Sequence, residues 1–290
     1  MSLGQCEIFE VGPRDGLQNE PGEIALEDKI ALIDCLSRAG FRRMEVGSFV
    51  SAKKVPQMAG SGDVLDRIAR QAGLRYAALT PNMRGFTDAR AAGADEVAVF
   101  ASASEGFSRA NINASIDESL DRFVPILEEA RHIDVPVRGY VSCVVVCPYD
   151  GVVTPAQVAC VADRLFAMGC YEISLGDTTG AGTPDSIARM LLAVRDVVPV
   201  GRLAGHYHDT NRRALENIDA SLSLGLRVFD AAIGGLGGCP FAPGSSGNVA
   251  TEAVAAHLAA LGYDTGLDAT ILAEAAQMAL ALRAAAAATP

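Results

Sequence analysis

The sequence predicts an α/β fold, a (β/α)8 TIM barrel with additional C-terminal helices, and three observations carry the prediction. Strand-like apolar runs alternate with amphipathic helical patterns from one end of the 290 residues to the other. The candidate strands number eight. The first of them runs into Gly12-Pro13-Arg14-Asp15-Gly16, not into the G-x-G-x-x-G turn that opens many doubly wound sheets. Strand–helix alternation implies parallel strands joined by right-handed crossovers. Eight such units can close on themselves.

The strands are expected to begin near Cys6, Arg43, Arg75, Glu96, Val137, Glu172, Leu203 and Val228, at intervals of a few tens of residues. A helix pattern follows each. After Thr154-Pro155 the residues Val158, Val161, Leu165 and Met168 form one apolar face, which Gly169 stops. After Thr183-Pro184 the face is Ile187, Met190, Leu191 and Val194. Threonine at the N-cap with proline at the first helical position opens both. Beyond the eighth unit two more helices are expected, about Ala250 to Leu261 and Asp268 to Ala286, packed under or beside the barrel. No linker or shift of composition marks a second domain. The expected organisation is one catalytic domain over 1–290, with the barrel at about 5–248 and the extra helices at about 249–288.

Half the residues are apolar and a fifth charged, as in a soluble enzyme with a sizeable core. A formal charge of −11 argues against a nucleic-acid partner. No apolar run stands out as a membrane span, and Met1 to Gln5 lead directly into a strand without a hydrophobic signal core. The seven cysteines contain no C-x-x-C pair, which fits a reducing compartment. The protein is expected to be cytoplasmic. Cys160 and Cys170, set in apolar runs, read as inert core thiols.

In a barrel of this kind the chemistry gathers at the C-terminal ends of the strands and in the loops beyond them. Those positions hold Arg14 and Asp15 after strand 1, Glu45 in strand 2, Asp177 at the end of strand 6, and His206 and His208 on strand 7. The two histidines stand one residue apart at the end of a strand read as Arg202 to Tyr207, so both imidazoles face one side. Each group alone has an ordinary structural alternative, a buried ion pair or a loop cap. Their coincidence on one rim points to function. Asp15, the two imidazoles and the amide of Asn248 would form a mixed O/N site suited to Mg²⁺ or Mn²⁺, with Zn²⁺ admissible. The planar guanidinium of Arg14 beside it can hold a developing oxyanion. The glycine-rich run from Gly234 to Gly247 reads as a mobile flap carrying one thiol, Cys239.

Several segments then carry a resemblance. Glu10-Val11-Gly12-Pro13-Arg14-Asp15-Gly16-Leu17-Gln18-Asn19-Glu20, Ser48-Phe49-Val50-Ser51, Val55-Pro56-Gln57-Met58 and Gly235-Leu236-Gly237-Gly238-Cys239-Pro240 resemble 3-hydroxy-3-methylglutaryl-CoA lyases. Those enzymes belong to a superfamily of metal-dependent barrel lyases and Claisen-type synthases. Tyr140-Val141-Ser142-Cys143, Cys147-Pro148-Tyr149, Gly169 to Thr178 and Gly247-Asn248 extend the match over nearly the whole chain. The resemblance implies cleavage of an acyl-CoA, 3-hydroxy-3-methylglutaryl-CoA, to acetyl-CoA and acetoacetate. It implies a divalent cation on Asp15, His206, His208 and Asn248, and no organic cofactor. Arg14 would bind substrate and steady an enolate, with Gln18 and Ser48 also at the substrate. Glu45 and Asp177 would handle protons or support the ligands, and Cys239 would be the flap's active-site thiol. A homodimer is the expected assembly, with no membrane or nucleic acid as partner.

Two positions depart from the lyase pattern, Asn211-Arg212 where Tyr-Gly is usual and Gly47 where Thr is usual. Both are expected near the rim and therefore to bear on the acyl group. Three rivals remain. Condensing synthases usually read His-x-His-Asn-Asp, where this chain has His206-Tyr207-His208-Asp209-Thr210. Biotin-dependent carboxyltransferases carry a metal-binding lysine where Gly176 stands. The third is a barrel that binds metal or acyl-CoA without turnover, against which the joint presence of Arg14, Asp15, Glu45 and Cys239 argues.

Overall fold

Strand β1 (Glu7–Glu10) pairs in parallel with both β2 (Arg43–Ser48) and β8 (Val228–Ala231), and that double pairing closes the barrel. Between them run β3 (Arg75–Leu79), β4 (Glu96–Ser102), β5 (Val137–Ser142), β6 (Glu172–Asp177) and β7 (Leu203–Tyr207), each parallel to its neighbours. The computed structural model describes residues 3–20, 22–239 and 242–288, without the side chains of 238, 239, 242–246 and 288. All eight predicted strands are present. Strand β7 starts one residue later than expected, because Val200–Arg202 forms a short 3-10 turn.

The helices that cover the barrel form for the reasons read from the chain. Helix α6 (Pro155–Met168) opens on a capping box of Thr154 and Gln157 and closes on Gly169 at φ +114°. Helix α7 (Pro184–Arg195) opens on Thr183 and Ser186 and buries Ile187, Met190, Leu191 and Val194. The others are α1 (Leu26–Ser37), α2 (Ser61–Arg67), α3 (Met83–Ala91), α4 (Glu105–Ile112), α5 (Ile116–His132), α8 (Ala214–Ser223), α9 (Thr251–Ala260) and α10 (Ala269–Ala288). Helix α10 packs beside α1 and on the turn Ile233–Gly235. By length and composition it is apolar enough to cross a membrane, contrary to the expectation that no run would be. Its alanine content explains this. Leu272, Ala275 and Ala279 are buried, and Glu274 and Arg283 interrupt the apolar surface.

The large apolar core lies outside the strands, between sheet and helices. The barrel interior is different. It holds only small apolar clusters, such as Phe9, Val11 and Ala77. The rest of its lower half is a buried ion network. Arg43 donates to Glu7 and with two nitrogens to Glu172, while Arg138 donates to Glu172 and with two nitrogens to Asp230. Both guanidinium groups also lie over the Phe9 ring, at 5.0 and 4.3 Å from its centroid. One thiol departs from expectation: Cys170 is buried, but Cys160 is exposed on the outer face of α6.

Candidate active site

Past β1 the chain makes one wide turn, Gly12–Gly16, in which the N–H groups of Asp15 and Gly16 both bond to Val11 O. The turn folds Arg14 and Asp15 back over the barrel mouth. Gly16 is required there, since a Cβ would lie 2.6 Å from Leu236 Cβ. Arg14 is buried between two carboxylates, donating through Nε to Glu45 Oε2 and through Nη1 to Asp15 Oδ1 at 2.6 Å. Its guanidinium stands 5.5 Å from the centre of the Tyr140 ring, and the Tyr140 hydroxyl donates to Glu45 Oε2 at 3.3 Å. Burial pushes the Glu45 carboxyl above its ordinary value despite Arg14. Burial also works against the charge on Asp15, but Arg14, the two histidines and Asn248 outweigh it and hold its pKa low. Arg14 remains a cation, because its two carboxylates overcome its desolvation.

Strand β7 delivers His206 and His208 to the same mouth, with ring centroids 5.4 Å apart. His206 turns Nε2 toward Asp15 Oδ2 at 3.9 Å and Nδ1 toward Asp230 Oδ2 at 3.1 Å. Burial and the neighbouring His206 depress the His208 pKa to about 4, which keeps that imidazole neutral and its lone pair available. For His206 burial acts the same way, but Asp230 and Asp15 reverse the direction and raise it. A β-bridge between His208 and Asn248 brings in the amide, whose Nδ2 donates to Asp15 Oδ2 at 2.9 Å and to Leu236 O at 3.2 Å. In this arrangement Asn248 orients Asp15 through its nitrogen.

The group fits a divalent cation. Asp15, His206 and His208 each offer a ligand atom, all within 4.8 Å of one another. Among the described residues, His208 Nδ1 is buried without a hydrogen-bond partner, as are Glu45 Oε1, Ser48 Oγ and Gln18 Oε1. One carboxylate and two imidazoles make an O/N donor set without thiolate.

A cavity of about 740 Å³ opens on this rim, and its lining includes Arg14, Asp15, Gln18, His206 and His208 together with the rings of Phe100 and Phe123. Glu45, Ser48, Asp177 and Asn248 lie behind that lining. Asp177 ties down the loop after β6, its Oδ2 accepting the Gly182 N–H at 2.8 Å, and burial raises its pKa to about 6. Neither departure from the lyase pattern faces the cavity. Asn211 is exposed and donates to Gly180 O, Arg212 is exposed, and a Cβ on Gly47 would point at Ser61 of α2. The expectation that they bear on the acyl group loses its geometric basis.

The flap is rooted in Gly234, Gly235 and Gly237, at φ of +62°, +59° and +96°. Beyond them Gly238–Cys239 pairs antiparallel with Ala242–Ser246. The side chain of Cys239, with Pro240 and Phe241, lies outside the described residues. Glu20 accepts the Gly237 N–H at 3.0 Å, and Arg283 of α10 donates to both Glu20 and Gly235 O. The C-terminal helix thus latches the root of the flap. Sequence reasoning missed Tyr140, Arg138 and Asp230. The signal was present, since an ionised residue inside an apolar strand, as in Val137-Arg138-Gly139 or Phe229-Asp230-Ala231, needs a buried partner.

The HMGL-like family model matches residues 5–279. The chain belongs to that family. It is 57% identical over 273 residues to the 3-hydroxy-3-isohexenylglutaryl-CoA/hydroxy-methylglutaryl-CoA lyase of Pseudomonas aeruginosa, covering 94% of this chain and 91% of the relative. It is 54% identical over 262 residues to the hydroxymethylglutaryl-CoA lyase of Pseudomonas mevalonii, covering 90% of this chain and 87% of that one. The HMG-CoA lyase of Brucella melitensis superposes with a TM-score of 0.96 at 56% identity, over 97% of this chain and 99% of that structure. The carboxyl transferase domain of Rhizobium etli pyruvate carboxylase, 16% identical with a TM-score of 0.73 over 96% of this chain and 48% of that one, shares the fold alone.

Proposed function

We infer that the protein is a carbon–carbon lyase that cleaves 3-hydroxy-3-methylglutaryl-CoA to acetyl-CoA and acetoacetate in a divalent-metal-dependent retro-Claisen reaction. The observation that carries this is the convergence of Asp15, His206 and His208 beside Arg14, on one cavity of an HMGL-like barrel.

Bound there, Mg²⁺ or Mn²⁺ would acidify the substrate's tertiary hydroxyl, which at a pKa of ~16 is otherwise a poor acid. Asp15, His206 and His208 would hold the cation, with Asn248 as the proposed fourth ligand through its amide oxygen. Asp15 takes the hydroxyl proton, because the one lone pair of the His206 ring is committed to the cation. Carbon–carbon cleavage then leaves the electron pair on the thioester as an enolate, and Arg14 meets its oxygen. Glu45 and Tyr140 fix the guanidinium by hydrogen bond and ring contact, so little reorganisation is needed as charge develops. Gln18, at the cavity wall with Oε1 unpartnered, and Ser48 just behind it with Oγ unpartnered, are the proposed substrate contacts. Cys239 on the flap protonates the enolate carbon after closure excludes water; a thiol pKa of ~8.5 suits a donor at neutral pH. Asp177 acts on this site indirectly, by holding the Gly180–Gly182 loop.

The barrel at about 5–248 is the proposed catalytic unit, with α9 and α10 as its cover. A cytoplasmic homodimer belongs to the same proposal, and light scattering on the purified protein tests the dimer. The decisive experiment is a coupled assay for free acetoacetate, with metal present and with chelator. Acetoacetate release that stops on chelation and returns with Mn²⁺ supports the lyase. Thioester consumption only when an oxo acid is supplied would indicate a synthase. A second substrate, with a longer 3-alkyl group, is favoured by the aromatic rings of Phe100, Phe107 and Phe123 in the cavity lining. The P. aeruginosa relative, named for an isohexenyl substrate as well, supports it. Comparing kcat/KM for both thioesters decides.

A further inference from the structure

We propose that Asp230 is a positioning residue for the metal site: clamped from below by Arg138, it accepts a hydrogen bond from Nδ1–H of His206 and so presents Nε2 to the cation. The inference rests on the metal reading above.

The geometry is directional. Asp230 lies within β8, wholly buried in the barrel, one layer beneath the ligands. Its two oxygens receive Arg138 Nη1 at 3.0 Å and Nη2 at 2.7 Å, a two-point clamp that fixes the carboxylate plane. Ser174 Oγ adds a third donor at 2.7 Å on Oδ2. His206 Nδ1 meets the same Oδ2 at 3.1 Å, and its Nε2 faces Asp15 Oδ2 at 3.9 Å. A carboxylate oxygen only accepts, so Nδ1 must carry the hydrogen. The lone pair of the neutral ring is then on Nε2, on the side of Asp15 and His208. His208 bonds to the Thr178 backbone instead, and among the described residues it has no carboxylate in hydrogen-bond contact and no partner for Nδ1. The two histidines are therefore held differently: His206 by a buried carboxylate inside the barrel, and His208 by the backbone of Thr178 in the loop after β6.

Arg138 is itself anchored, through Nε at 2.8 Å to Glu172, which Arg43 grips in turn. Rotation of His206 would cost contacts along a connected chain of buried charges. Carboxylates of this kind behind a metal-ligating histidine commonly carry a factor of roughly 10 to 100 in metal affinity.

The test is direct Mn²⁺ binding, read by the free-Mn²⁺ electron paramagnetic resonance signal, with the melting temperature measured alongside. Asp230→Ala should raise the Mn²⁺ Kd by about 10-fold or more. Because that variant strands the Arg138 charge, Asp230→Ala/Arg138→Met is made beside it, and the same rise is expected. Tyr171→Phe removes a hydroxyl from the lower network without touching Asp230. It should lower the melting temperature and leave the Kd unchanged. An unchanged Kd in either folded Asp230 variant overturns the proposal while leaving the metal reading intact. Failure of the wild-type protein to bind Mn²⁺ overturns both.

Should neither variant fold, the wild-type protein decides. It has four histidines, so long-range ¹H–¹⁵N spectra of the Mg²⁺-loaded protein can be assigned by single substitutions. His206 protonated at Nδ1 and not at Nε2 supports the proposal, and the opposite tautomer overturns it.

Discussion

The upper and lower halves of the barrel interior are both polar, but they are finished differently. In the lower half nearly every charge is matched: Arg43 and Arg138 bond to Glu7, Glu172 and Asp230, and Tyr171 to Glu96. Only Glu96 Oε2 lacks a hydrogen bond there among the described residues, and it faces Arg75 at 3.7 Å. At the upper rim, by contrast, Gln18, Glu45, Ser48, Asp177 and His208 each keep a buried polar atom without a partner among the described residues. Burying such atoms unpaired costs stability. Their clustering around one cavity indicates groups kept open for a ligand, while the matched charges below form the frame. Asp230 stands where the two halves meet.

The largest expected effect sharpens the lower half. Arg43→Met leaves Glu172 and Glu7 without their main partner and should remove roughly 3–5 kcal/mol of stability, read by urea unfolding. Turnover of the folded fraction should change little. Loss of turnover without loss of stability would mean that the lower network serves catalysis and that the division drawn here is wrong.

At the rim the order reverses. Arg14→Lys should lower kcat by roughly 10²–10³-fold and raise KM far less, with the melting temperature nearly kept, because an ammonium cannot reproduce the planar fork. An unchanged kcat with weaker binding would restrict Arg14 to substrate capture.

Glu10 supplies a matched group just below the rim. Its Oε1 accepts the N–H groups of Gly12 and Ile233, and its Oε2 accepts the Thr251 hydroxyl. Burial nonetheless raises its pKa from 4.5 to about 7. The folded state therefore binds this proton more tightly than the unfolded chain does. The resulting stability is complete below about 4.5 and is lost as pH rises through 7. At ~1.4 kcal/mol per pH unit the loss approaches roughly 3 kcal/mol. Urea unfolding at several pH values should show that slope in the wild type and a flatter one in Glu10→Gln.

A smaller effect is expected where the C-terminal helix holds the flap. Arg283→Ala releases Glu20 and Gly235 and should cut kcat about five-fold, near the ~1 kcal/mol of one net hydrogen bond, with metal affinity unchanged. Unaltered turnover would show that the glycine root holds itself. The smallest effect separates two thiols. Cys160→Ser, on the surface, should stay within ~0.5 kcal/mol of wild type in stability. Cys170→Ser puts a hydroxyl among apolar neighbours and should cost roughly 1–3 kcal/mol.

Much of this was legible in the chain. The starts of the eight strands, the Thr-Pro helix openings and the Gly169 stop are local signals, set by apolar period, cap chemistry and backbone freedom, and they hold in the fold. The rim residues Arg14, Asp15, His206 and His208 were legible because a parallel barrel sends strand ends to one face. Cys160 misled because an apolar run does not say which side of a helix meets the sheet. Asn211, Arg212 and Gly47 misled because nearness in sequence to a ligand is not nearness to the cavity.

The sequence by itself determined the period of the elements, their number and the side of the barrel on which reactive groups gather, since each follows from interactions among close neighbours in the chain. Only the tertiary structure decided which charges meet. Arg138 and Asp230 are 92 positions apart, and Asn248 and Asp15 are 233. No local rule pairs them. Closure of the barrel does, by turning β5 and β8 inward onto one lumen where a buried charge must find its opposite. That closure also gave His206 a carboxylate behind it and left His208 without one.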